Sequence, residues 1–120
     1  MFQGTKNVEG IFVDLDSSEK IMKMSSRAFA RMYNLRLLKV YNSGFGNNSK
    51  VLLPHGLDSI SNELRYLHWD GYPLRSFPFN FIPQNLVEIN ISSSKVEQLW
   101  QGNQVFRQLQ MYEHTFISFT

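Results

Sequence analysis

Cysteine does not occur among the 120 residues, which excludes a disulfide framework and any cysteine-ligated zinc site. Long apolar runs are missing too: no uninterrupted stretch approaches the roughly 18–20 residues of a membrane-spanning helix. The first ten residues, Met1 to Gly10, lack the apolar core of a secretory signal. Basic clusters are equally scarce. The 12 Lys and Arg stand singly against 10 Asp and Glu, leaving a net charge of +2, whereas nucleic-acid binding usually shows a clustered basic stripe. No GxxxxGK[ST] phosphate loop is present, so nucleotide binding is not assigned to this chain. Together these absences point to a reducing setting, cytoplasmic or nuclear, with neither a membrane nor a nucleic acid as partner.

What is present is a repeat. Leu35-Arg-Leu-Leu38-Lys-Val40, Leu64-Arg-Tyr-Leu67-His-Trp69 and Leu86-Val-Glu-Ile89-Asn-Ile91 each place large apolar residues at i, i+3 and i+5. This is the LxxLxL opening of a leucine-rich repeat. The steps between them, 29 and then 22 residues, fall at the expected period of roughly 20–29. A weaker copy, Val8-Glu-Gly-Ile11-Phe-Val13, lies 27 residues before the first. About four units, starting near 8, 35, 64 and 86, predict an α/β leucine-rich repeat solenoid over residues 1–107. Such a stack buries each unit only against its neighbours.

The second half of each unit alternates with period two, the mark of a strand buried on one face. Inward residues are Ile11, Val13 and Leu15, then Leu38 and Val40, Leu67 and Trp69, Ile89 and Ile91. Outward on the concave face are Leu37, Lys39 and Tyr41, then Tyr66, His68 and Asp70, then Glu88, Asn90 and Ser92. Phe12, Lys39, His68 and Asn90 should share one column of parallel strands. Convex segments are expected to be irregular or short helices. Ser25 or Ser26 caps one expected helix over Arg27–Met32, with Ala28, Phe29 and Met32 on its apolar side. Leu57 and Ile60, Leu74 and Phe77, and Val96 and Leu99 supply the remaining return paths. The Gly/Asn/Ser-rich run 42–49 reads as an exposed loop. Where repeats of this class often place an Asn that bonds neighbouring backbone, this chain has Asp16, Ser43, Tyr72 and Ser94, so packing should replace a polar ladder.

Chemistry is hard to find. His68 and Asp70, two apart on an outward face, invite an acid–base reading, but a catalytic pair needs a pocket and an orienting group that nothing in the sequence supplies. Three separated His and no Cys argue against a metal site, and no cofactor is implied. The chain reads as no enzyme. The outward columns, with exposed Tyr among mixed charges, are the candidate protein-binding residues.

The segment Glu63-Leu-Arg-Tyr-Leu-His-Trp-Asp-Gly-Tyr-Pro-Leu-Arg-Ser-Phe-Pro78, with Asn85 to Ile91 and Ser94 to Gly102, closely resembles plant TIR–NBS–LRR disease-resistance proteins. The likeness extends over roughly residues 4–107. It implies a non-catalytic interaction module of an intracellular immune receptor, concerned with effector perception and autoinhibition. Its partners would be a pathogen effector or the receptor's own nucleotide-binding module. The final segment, 108–120, departs from the repeat pattern and reads as a divergent tail, truncated or disordered. The alternative is a small stand-alone adaptor or decoy that self-associates through uncapped ends.

Overall fold

Each LxxLxL run is a strand in the computed structural model, which describes residues 6–15, 21–42, 50–92, 94, 96 and 116–118. The strands are β1 (Gly10–Asp14), β2 (Ile21–Lys23), β3 (Leu37–Tyr41), β4 (Lys50–Leu52), β5 (Tyr66–Trp69), β6 (Glu88–Asn90) and β7 (Phe116–Ser118). Five of them form one sheet in the order β1-β3-β5-β6-β7, with every pairing parallel. Register follows the repeat: Ile11 pairs with Leu38, Leu38 with Leu67, and Leu67 with Ile89. Strand β7 lies within the segment that the sequence sets apart from the repeats, and its backbone pairs with β6.

The same clasp recurs at the starts of β3, β5 and β6. The Glu9 carbonyl accepts from the amides of Arg36 (2.8 Å) and Leu37 (3.1 Å). Arg36 does the same for Arg65 and Tyr66, and Arg65 for Val87 and Glu88. One carbonyl thus satisfies two donors from the next unit, which locks the offset between coils whether the intervening loop is long or short.

Inward rows make a single apolar interior. Leu38, Val40, Leu67, Trp69, Ile89 and Ile91 are all buried, as are Leu35, Leu64 and Leu86 at the head of each motif. Return segments close the other side with Phe29, Met32, Ile60 and Phe77 buried, while Leu57, Leu74 and Val96 pack partly against them. Leu99, Asp16, Ser43 and most of the 42–49 loop lie outside the described residues.

Two features differ from the sequence expectation. No helix occurs among the described residues. The segment expected to be helical over 27–32 is a succession of turns, in which the amides of Ala28, Ala30 and Met32 donate to carbonyls three residues back at 3.0–3.1 Å. Six residues are too few to repay helix nucleation, and the tighter turns bury Phe29 and Met32 equally well. Ser25 still caps the segment, its Oγ accepting from the Arg27 amide at 3.1 Å. Secondly, β2 and β4 pair in parallel as a separate two-stranded ladder. These three-residue strands are too short to show a period.

Tyr72 stands where repeats of this class often place an Asn, and it packs instead. Gly71, at φ 72°, takes the left-handed conformation open to a residue without Cβ and turns the chain inward. Tyr72 is then fully buried, with its hydroxyl donating to the Ser76 carbonyl at 3.0 Å. Its ring meets Trp69 edge-on at 5.1 Å and 82°, and Phe77 at 4.6 Å. Phe29 extends the series beyond Trp69 at 6.1 Å, and Phe81 beyond Phe77 at 5.5 Å. Contacts of this kind contribute about 0.5–1.5 kcal/mol each beyond area burial. The series carries one cost: Trp69 Nε1 is buried and finds no acceptor among the described residues.

Two outcomes follow for stability. Trp69→Ala should cost about 3–5 kcal/mol in urea denaturation, whereas Trp69→Phe should cost clearly less, because it keeps a ring in place and removes the orphan donor. Burial pushes the Tyr72 phenol above its ordinary range, so the folded state holds that proton more tightly than the unfolded chain. The corresponding stability is complete below pH ~10 and falls as pH rises beyond it. Tyr72→Phe should flatten this alkaline loss in denaturation midpoints measured from pH 8 to 11.

Candidate protein-interaction face

A half-buried sheet leaves its other face to solvent, and parallel register turns the outward residues of successive strands into columns. The first column runs Gly10, Leu37, Tyr66 and Glu88. The second runs Phe12, Lys39, His68 and Asn90, as the sequence spacing predicts. Asp14 pairs with Tyr41 in the third, where the Asp70 amide donates to the Val40 carbonyl and the Gly71 amide to the Ser92 carbonyl. All nine candidate residues, Leu37, Lys39, Tyr41, Tyr66, His68, Asp70, Glu88, Asn90 and Ser92, therefore come to one face. Tyr66 is exposed at 46% and Phe12 at 63%. The others are half-buried.

Within each strand the second and third columns are coupled by a contact between residues two apart. The Lys39 ammonium lies 5.0 Å from the centre of the Tyr41 ring, within cation–π range. His68 Nε2 donates to Asp70 Oδ1 at 2.8 Å. Ser92 Oγ donates to Asn90 Oδ1, also at 2.8 Å. Side chains two apart on a strand point the same way, so a long or planar group can fold onto its neighbour. These contacts reduce the side-chain freedom that binding would otherwise have to remove.

The His68–Asp70 pair stands on open sheet. Two grooves of about 270 and 460 Å³ lie among the return segments, lined by residues including Leu74 and Phe79 in one and Tyr33 and Ser61 in the other, and neither includes this pair. No group of three or more His, Asp or Glu poised to hold a metal occurs among the described residues. Sequence reasoning left one exposed row at the strand starts unremarked: Glu9, Arg36, Arg65 and Val87, the second residue of each LxxLxL motif. All four are exposed, and the Arg36 guanidinium lies 3.7 Å from the Glu9 carboxylate. Their shared position in the motif was the available signal.

The comparisons with known proteins agree with this geometry. Residues 85–104 match the family model described as Leucine Rich Repeat. The chain is 49% identical over 106 residues to the Arabidopsis thaliana disease resistance protein RPP2A, an alignment covering 88% of this chain and 8% of that protein. It is 45% identical over 101 residues to disease resistance-like protein DSC1 of the same plant, covering 81% and 8%. Disease resistance protein TAO1, also from Arabidopsis thaliana, is 40% identical over 115 residues, covering 94% and 10%. The chain thus spans a tenth or less of these relatives. No solved structure matches it. Repeating strands, the repeat-family match and these identities place the chain with the leucine-rich repeat regions of plant TIR–NBS–LRR disease-resistance proteins.

Proposed function

We propose that this chain is a non-catalytic protein-interaction module of a plant intracellular immune receptor, working in the cytoplasm or nucleus. The outward sheet face is its binding surface. Its partner is a pathogen effector or the nucleotide-binding module of the receptor itself, held inactive by the contact. The observation that carries this reading is the alignment of Lys39, Tyr66 and His68 on adjacent strands, with two of the three tied by contacts to Tyr41 and Asp70. An exposed tyrosine flanked by organised charge is the composition from which interface anchors are drawn.

A second reading is a small stand-alone adaptor or decoy that pairs with itself. It draws support from β1, which ends the sheet among the described residues and shows Phe12 to solvent. An unpaired strand edge is a template for association. Size-exclusion chromatography separates the two: a defined dimer favours the adaptor, a monomer the receptor module.

The first reading is tested with a nucleotide-binding module from a resistance protein of this class. The triple variant Lys39→Ala, Tyr66→Ala, His68→Ala should weaken its capture by this chain at least about tenfold, a loss of roughly 1.4 kcal/mol. Unchanged capture would remove the outward face from the mechanism.

A further inference from the structure

The groove of about 460 Å³ among the return segments crosses from one unit to the next, and none of the nine outward residues lines it. Tyr33 and Asn34 reach it from the end of the first unit, Ser61, Asn62 and Glu63 from the end of the second. Hydrogen bonds between units hold these residues in place. Ser61 is buried, at 4% exposure. Its hydroxyl donates to the Tyr33 carbonyl at 2.9 Å and accepts from the Glu63 amide at 3.0 Å. One hydroxyl thus fastens the backbones of Tyr33 and Glu63 to each other. Asn62 Oδ1 accepts from the Ile82 amide at 2.7 Å, and Asn34 Nδ2 donates to the Lys6 carbonyl at 2.9 Å. With those atoms engaged, Asn62 keeps its Nδ2 as a donor and Asn34 its Oδ1 as an acceptor.

The two residues that Ser61 fastens both show their side chains to solvent. Tyr33 is 57% exposed. Glu63 is exposed and makes no ion pair among the described residues. It is also the one charged residue among those that line the groove. An aromatic ring and a carboxylate beside one cleft are the two elements that recognise an organic cation. The ring attracts positive charge over its face, and the carboxylate accepts charge-assisted hydrogen bonds. Arginine suits this pair better than lysine, because its planar guanidinium stacks on a ring while its fork of donors meets a carboxylate.

We infer that this groove is a second binding site, which takes an arginine side chain from a partner protein. The guanidinium stacks on Tyr33 and bonds to the Glu63 carboxylate, and Asn34 Oδ1 accepts a further N–H. Asn62 Nδ2 donates to a main-chain carbonyl of the same segment. Bonds between units set these groups beforehand, so little order has to be imposed when the ligand arrives. The site stands independently of the outward columns.

The test titrates the isotope-labelled full chain with the peptide acetyl-Ala-Arg-Ala-amide and follows backbone amide shifts by nuclear magnetic resonance. Saturable shifts in the millimolar range should centre on Tyr33, Asn34 and residues 61–63. The counterpart with Lys in place of Arg should bind about threefold more weakly, and the counterpart with Glu should give no saturable shift. Glu63→Gln and Tyr33→Leu, both at exposed positions, should each weaken the arginine peptide about threefold, as expected for a solvent-screened charge pair and an exposed cation–π contact. The variant Lys39→Ala, Tyr66→Ala, His68→Ala should bind it unchanged. Equal binding of all three peptides, or no saturable shift with the arginine peptide, would overturn the inference. So would shifts confined to other residues, or binding lost in the outward-face variant and kept in Glu63→Gln and Tyr33→Leu.

Discussion

Strands that can bury only one face must share an interior, and that constraint sets everything else in this molecule. Ile11, Leu38, Leu67 and Ile89 fall in one row because each belongs to a coil that cannot seal itself. A slip of one residue in any strand would send its apolar set to solvent and its polar set inward. The repeated clasp of one carbonyl on two amides holds that register at the strand starts. The outward columns are therefore a consequence of the core. Lys39 lies beside His68 because Leu38 lies beside Leu67.

Side-chain amides join successive coils at Asn34, whose Nδ2 donates to the Lys6 carbonyl at 2.9 Å, and at Asn62, whose Oδ1 accepts from the Ile82 amide at 2.7 Å, and a buried aromatic series adds to them. Phe29, Trp69, Tyr72, Phe77 and Phe81 are nearly or fully buried and meet mostly at steep or tilted angles, which suit ring quadrupoles. This solution links a return segment of the first unit to the strand and return path of the third. It also tolerates a buried indole N–H without an acceptor among the described residues, a cost offset by the apolar area that Trp69 contributes. Tyr72 fares better, since its hydroxyl reaches the Ser76 carbonyl.

The parts of this architecture legible in the sequence are those with long-range periodicity. The i, i+3, i+5 spacing at 27, 29 and 22 residues marked the strands, their inward residues and the column from Phe12 to Asn90, because burial on one face imposes period two. Local structure was less legible. Turns over 26–31 and a helix over 27–32 place Phe29 and Met32 on the same side, so apolar pattern alone does not separate them. The β2–β4 ladder consists of two three-residue strands far apart in sequence and leaves no periodic trace. Of the interaction face, the columns were readable. The binding role of the nine outward residues is a proposal that geometry makes specific.

The outward columns are set on adjacent parallel strands, in a chain that shares its repeats with disease-resistance proteins. All of this requires that the coils stack in parallel. The most direct measurement is nuclear Overhauser contact between backbone protons across the strands in the isotope-labelled chain. The account predicts cross-strand contacts in the parallel pattern from β3 to β5 and from β5 to β6, linking the Leu38, Leu67 and Ile89 positions. Sequential amide–amide contacts of a helix through these residues, or cross-strand contacts in an antiparallel pattern, would contradict it.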